Sequence, residues 1–242
     1  LVTDHLPLLA GAPNGVKKLR ELILELAVRG KLVAQDSGDE PAEVLLGEIA
    51  SEKAKLVADK KLKAMPPLPA VESSAIPFDL PPEWRWARLG DITNVGFTTK
   101  SGDILPENWI LDLEDIEKDT SKLLHRARFV DRQSLSDKNK FNKGDVLYGK
   151  LRPYLNKVIV ADEDGFCTTE ILPIRCHGPW DNNYFKLAIM SPFFLAYVNG
   201  KSYGMKMPRL GTEDGRLALF PLPPLAEQNR IVAKVDELMA LC

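Results

Sequence analysis

The chain has 242 residues, 45% hydrophobic and 27% charged, with a net charge of −2 and a pI near 6.0. That length permits one or two domains and a core that buries roughly 70% of the unfolded chain's surface. No apolar run reaches the roughly 18 residues of a membrane helix, the first residues lack a signal-peptide pattern, and three cysteines (Cys167, Cys176, Cys242) rule out a disulfide framework, so a cytoplasmic protein with reduced thiols and no membrane contact is expected.

The first periodic segment is 16–28, where Leu19, Leu22, Ile23 and Leu26 fall on one helical face. Asn14 is placed to cap it and Gly30 to end it. A second helix opens at Pro41, carries Leu45, Leu46, Ile49 and Leu56, and fades into 60–63. Six prolines between Pro66 and Pro82 then dictate an extended linker. Past it the period shortens. Trp84, Trp86 and Leu89 alternate with polar residues, and Val146-Leu147-Tyr148 and 155–161 read as strands. Asp162-Glu163-Asp164-Gly165 reads as a hairpin loop with 166–176 returning. Asn182 or Asn183 caps a helix through Met190, and Ser191-Pro192 opens another to Asn199, closed by Gly200.

Pro223-Pro224 opens the last helix, in which Gln228, Val232, Val235, Met239 and Cys242 step by 4, 3, 4, 3 like a heptad seam, with Ile231 and Leu238 flanking. An amphipathic helix packed on its own domain fits the same letters. Leu1 in place of Met, and a helix still running at Cys242, read as cut ends. The expected fold is α+β, a mixed and mainly antiparallel domain with long helices forming a coiled-coil-like spacer. Its expected parts are a helical region 1–65, a linker 66–82, a domain 83–220 and a truncated helix 221–242.

Near-neutral net charge conceals segregation. Residues 103–119 hold seven acids and one base; residues 122–157 hold ten bases and three acids. A basic stripe suits phosphate binding, and a solvated surface fits it too. Enzyme signatures are absent: no G-x-S-x-G elbow, no Walker loop, and no catalytic aromatic in Pro221-Leu222-Pro223-Pro224 for a flipped base. Asp59-Lys60-Lys61 falls on a solvated helix. Cys167, Cys176 and His177 lack zinc spacing, and none of the three histidines neighbours a nucleophile. No catalytic residue, metal or cofactor is expected.

Three stretches remain. In 143–157, Lys150, Arg152, Tyr154 and Lys157 crowd a loop stiffened by Pro153, where lysine can neutralise phosphate, arginine can grip a guanine edge and the ring can pack on sugar or base. A charged β-loop with Tyr154 covering the core is the alternative. The loop 96–102 offers Thr98, Thr99 and Lys100, and 202–210 offers Lys206 and Arg209; plain surface loops would look alike.

The order of these pieces carries a resemblance. Leu89-Gly-Asp-Ile92, then Gly144-Asp-Val-Leu-Tyr-Gly-Lys-Leu-Arg-Pro153, Met207-Pro-Arg-Leu210 and Pro221-Leu-Pro-Pro-Leu-Ala-Glu-Gln-Asn-Arg-Ile-Val232 resemble the DNA-specificity subunit of type I restriction–modification enzymes. The helix 18–33 is similar to helical sequence in that family. The resemblance implies a non-catalytic subunit that reads one half of a split duplex target. It implies helices that dock methyltransferase subunits and a motor-nuclease subunit. With only one recognition domain, the chain would be half a subunit or a short form that pairs with itself through Leu19, Leu22, Ile23, Leu26, Val232, Val235 and Met239. Thr98, Thr99, Lys100, Lys150, Arg152, Tyr154, Lys157, Lys206 and Arg209 are the expected DNA contacts, with Arg152 and Arg209 at base edges. A protein–protein adaptor that leaves DNA unread is the alternative function.

Overall fold

The computed structural model describes residues 14–241 apart from 96–97, 133–135 and 205–206. His5, Lys206 and Cys242 therefore lie outside the described residues. Helix α1, Gly15–Val28, starts at Asn14, which sits in the left-handed region at φ 58 and makes no side-chain cap. Its far end closes as the sequence implies. The Lys31 amide donates to the Leu26 carbonyl at 2.9 Å and the Gly30 amide to Ala27 at 3.3 Å, with Gly30 at φ +65. This is the glycine-closed helix end that left-handed backbone permits. A Cβ there would stand 2.4 Å from Pro81 Cγ, so conformation and space both demand glycine.

The buried stripe of α1 is Leu19, Ile23, Leu24, Ala27 and Val28. It is rotated from the expected one, leaving Leu22 44% exposed. Helix α2, Ala42–Ala58, buries only Ala42, Leu45 and Ile49. The linker that follows is extended save for a short turn at Ser73–Ala75. It is pinned: Arg88 donates to the Pro69 carbonyl at 2.6 Å, and the Phe78 ring meets Trp86 edge-on at 4.9 Å beneath Arg29. One apolar core runs through Leu19 and Ile23, Leu45 and Ile49, Trp84, Phe220, Val235 and Leu238. The proline-rich stretch thus spans a continuous core.

Strand β1, Arg85–Arg88, pairs antiparallel with a strand from the far end of the domain, and between them run α3, Leu89–Ile92, and two sheets. The first holds β2 (Thr93–Val95), β7 (Val146–Gly149), β8 (Val158–Val160) and β10 (Ile171–Cys176) in the order β2-β10-β7-β8, all antiparallel. The second holds β3 (Thr98–Thr99), β4 (Trp109–Leu111), β5 (Ala127–Arg128), β6 (Lys138–Phe141) and β9 (Gly165–Thr168) in the order β3-β6-β9-β4-β5. Among the described strands only β4 and β9 run parallel. Trp109, Phe141, Leu147, Ile159 and Ile171 share a second core.

The expected hairpin at 162–165 is corrected here. β8 pairs with β7 and β9 with β6 and β4, so the loop carries the chain from one sheet to the other. Arg126 takes Asp162 and Glu163 while Lys143 N donates to Asp164, ties that hold the loop open against a tight turn. The single return strand expected over 166–176 is interrupted at Thr169-Glu170, after which β10 joins the first sheet.

Short helix α4 is Phe129–Arg132. Helix α5, Asn182–Met190, is capped by Asp181, whose carboxylate accepts from Asn183 N at 2.9 Å, in place of the expected asparagines. Ser191 caps α6, Pro192–Lys201, which runs through Gly200 because Ser202 forms its end. After α7, Thr212–Leu217, comes β11, Leu219–Leu222, and then α8, Leu225–Met239. The inward seam of α8 is Gln228, Ile231, Val235 and Leu238. It shares Gln228 and Val235 with the expected heptad, while Val232 and Met239 are half-buried beside it. Among the described residues no helix is long and apolar enough to cross a membrane.

Candidate nucleic-acid interface

The loop after β7 is built to hold its shape. Arg152 and Asn156, at φ 51 and 50, bracket a one-turn 3-10 segment, Pro153–Leu155. Asparagine tolerates the left-handed region, and Asn156 is further fixed: its Nδ2 donates to the Met190 carbonyl at 2.8 Å and its carbonyl accepts from Ser121 Oγ at 2.9 Å. Arg152 has no such compensation. Its side chain is exposed, and among the described residues neither it nor Lys150 has an ion-pair partner.

The chain brings 203–204 and 207–210 beside this loop. Arg152 N donates to the Pro208 carbonyl at 2.8 Å and Leu210 N to the Lys150 carbonyl at 3.1 Å, while Tyr203 and Arg209 pair backbone to backbone. Glu170 joins both: its carbonyl accepts from Lys150 N at 3.0 Å, and its carboxylate takes Arg209 through Nε at 3.0 Å and Nη2 at 3.0 Å. Two residues earlier, Thr168 pairs with Lys138, which pairs with Thr99. Thr98, Thr99 and Lys100 therefore lie along the same edge, two strand spacings or about 10 Å across from the Glu170 side.

The expected contacts divide. Arg152, Tyr154 and Lys100 are exposed and Lys150 is half-buried, with Tyr154 at 47% exposure standing off the core. Arg209 is engaged by Glu170, and Lys157 donates to the Leu113 carbonyl at 2.6 Å, with burial pulling its pKa down. Thr98 Oγ1 lies 3.1 Å from Asn139 Oδ1, to which it donates. Tyr203 and Met207, exposed on the same strip, were not singled out by sequence; their places next to Gly204 and Pro208 were the available signal.

The basic window is also less free than its letters suggest. Arg126 pairs with Asp162 and Glu163, Arg128 with Glu163, and Arg132 with Asp112 and Asp115. Three arginines of the basic run are thus engaged by carboxylates, while Lys150 and Arg152 carry no such partner among the described residues. No group of three or more His, Cys, Asp or Glu among the described residues is placed to hold a metal.

Comparison with known proteins gives relatives of one kind. The specificity subunit of the Escherichia coli type I restriction enzyme EcoAI is 36% identical over 251 residues, covering 94% of this chain and 40% of that protein. That of Escherichia coli EcoEI is 33% identical over 273 residues, covering 100% and 45%. The chain spans less than half the length of the curated relatives it matches. Among solved structures, the HsdS subunit from Thermoanaerobacter tengcongensis gives a TM-score of 0.56 at 27% identity, covering 68% of this chain and 44% of that one. A chain from a type I R-M system, solved for its complex assembly and conformational transition, gives 0.59 at 26% identity over the same shares. No protein-family model matches the chain.

Proposed function

We infer that this chain, homologous over most of its length to type I restriction-enzyme specificity subunits, addresses DNA and performs no chemistry itself. In this reading, residues 83–220 bind one half of a bipartite duplex target in the cytoplasm. Lys100, Lys150 and Lys206 neutralise phosphates, Thr99 donates to them, Thr98 joins it on exchanging its bond to Asn139, and Tyr154 packs on sugar. Arg152 reads a base edge, where a guanidinium can meet O6 and N7 of guanine together. Arg209 presents what its ion pair with Glu170 leaves free, and Lys157 stiffens the loop. The flanking parts, 1–65 and 221–242, dock methyltransferase subunits, a motor-nuclease subunit or a second copy through α1 and α8, with the linker 66–82 holding them to the recognition domain.

The observation that carries this reading is the sealing of 150–154 to 207–210 by two backbone hydrogen bonds, which sets the unpaired Lys150 and Arg152 on one rigid strip. A strip ordered before binding forfeits little entropy on contact. The test reconstitutes the chain with its methyltransferase subunits and maps protection on duplex DNA. Salt-dependent binding with a protected half-site is expected. An assembly lacking the chain that still marks the same bases overturns the reading.

A further inference from the structure

We propose that the cavity between α2 and the β2-β10-β7-β8 sheet binds a small neutral molecule, largely apolar, that carries one hydroxyl or amide group. The cavity has a volume of about 700 Å³, within the range of small-molecule sites. Ala54 and Val57 of α2 form one wall; Leu172 and Ile174 of β10, with Ile189 and Phe194, form the other.

Among the described residues, one polar side chain on the cavity face of the sheet lacks a partner. Tyr148 is 3% exposed and lines the cavity, and its hydroxyl makes no hydrogen bond among the described residues. Burial pushes its pKa up, so it remains a neutral donor. Asn94 borders the cavity by its strand, but its pairing with Arg175 turns its amide to the opposite face of the sheet from Tyr148, Leu172 and Ile174. A tyrosine hydroxyl on a largely buried ring usually finds a partner. A ligand oxygen answers the Tyr148 hydroxyl by accepting from it.

Two of the cations in the lining are already engaged, and the remaining charged groups, Lys63 and Asp91, are exposed and opposite in sign. Lys53 Nζ donates to the Gly90 and Asp91 carbonyls at 2.7 and 2.8 Å, and Arg216 is held by Glu213 at 2.8 Å. This favours a neutral ligand over an anion. The site lies beneath the recognition strip, since Tyr148 precedes Lys150 by two residues and Leu210, another lining residue, donates its amide to Lys150. The proposal stands whether or not that strip reads DNA.

The experiment titrates the full chain with 2-naphthol and, separately, with naphthalene by calorimetry. Saturable one-to-one binding of 2-naphthol is expected, with naphthalene weaker by about five- to tenfold, the worth of one net hydrogen bond. Tyr148→Phe should erase that difference, and Ala54→Trp, on the exposed side of α2, should block both probes while the thermal midpoint holds. Absence of saturable 2-naphthol binding overturns the proposal. So does equal affinity for the two probes, or binding that survives Ala54→Trp.

Discussion

The indole Nε1 of Trp84 donates to the carboxylate of Glu227 at 2.8 Å, joining residues 143 positions apart in the sequence. Glu227 is 1% exposed, and its other oxygen accepts from Gln35 Nε2 at 2.7 Å. Beside it Gln228, fully buried, accepts from Asp181 N at 3.1 Å and donates to the Pro223 carbonyl at 3.1 Å. The Ala-Glu-Gln run that carries much of the family resemblance therefore fastens α8 to the loop after α1, to the entry of β1 and to the start of α5. Its role here is architectural: a buried carboxylate and amide, each with its partners made.

Burial raises the Glu227 pKa above the ordinary carboxylate value, and the Trp84 and Gln35 hydrogen bonds oppose that shift without cancelling it. With its folded value above its unfolded one, the group favours folding below the ordinary value. That contribution fades as pH rises through the window up to the raised value. Denaturant midpoints of Glu227→Gln measured from pH 4 to 8 should lose this falling component, while Gln35 turns its amide to suit. Glu227→Ala leaves the Trp84 N–H buried and unpaired and should cost about 1–3 kcal/mol across the range.

Arg132 is 17% exposed on its side chain and bridges Asp112 and the 2% exposed Asp115. Asp115 also accepts from Asp112 N at 2.8 Å, closing the short turn Leu113–Asp115. Removing the arginine strands a buried carboxylate. Arg132→Ala should lower unfolding free energy by about 3 kcal/mol. A loss under 1 kcal/mol in urea titration would mean that water replaces the guanidinium.

How far the letters reached can be judged residue by residue. Some local signals held. Gly30 ends α1, Ser191-Pro192 starts α6, and the prolines of 66–82 keep that stretch extended. Others failed locally: Asn14 makes no side-chain cap, Asp181 caps α5 in place of the asparagines, and α6 runs through Gly200. The remaining failures turned on partners distant in sequence. Asp162 and Glu163 read as turn residues until Arg126 and Arg128 claim them, which sends β9 to a different sheet. The basic run 122–157 reads as free charge until Asp112 and Asp115 are placed against Arg132. Helix faces were found to within one position, since 3.6-residue periodicity cannot tell Leu22 from Ile23 or Ile231 from Val232 once both are apolar. At the candidate site, sequence proposed the loops, and only the backbone bonds between Arg152 and Pro208 and between Leu210 and Lys150 join them.

Arg152 holds φ 51, a conformation costing a non-glycine residue roughly 1 kcal/mol. Arg152→Gly should therefore raise stability by up to about that amount, whereas Arg152→Ala should leave it nearly unchanged. Both variants lose the guanidinium, so both should bind the preferred duplex about 1–3 kcal/mol more weakly while binding to unrelated duplexes stays level. Equal weakening on all sequences would place Arg152 on phosphate. Lys150→Ala should weaken every duplex alike and reduce the slope of log K against log salt by about one.

Arg209 admits two roles that its ion pair with Glu170 can separate. As a DNA contact, its charge is partly cancelled by the carboxylate, so Glu170→Ala should free it, steepen the salt dependence and hold or raise affinity. Arg209→Ala should then lower affinity. As a brace, Arg209 matters only because it fastens 207–210 to the turn between β9 and β10, and Glu170→Ala and Arg209→Ala should lose the same affinity. The double variant would lose no more than either single one. Anisotropy titrations of the reconstituted complex at three salt concentrations decide between them. The exposed guanidinium edge beside the unpaired Arg152 and Lys150 favours opposite signs for the two single variants.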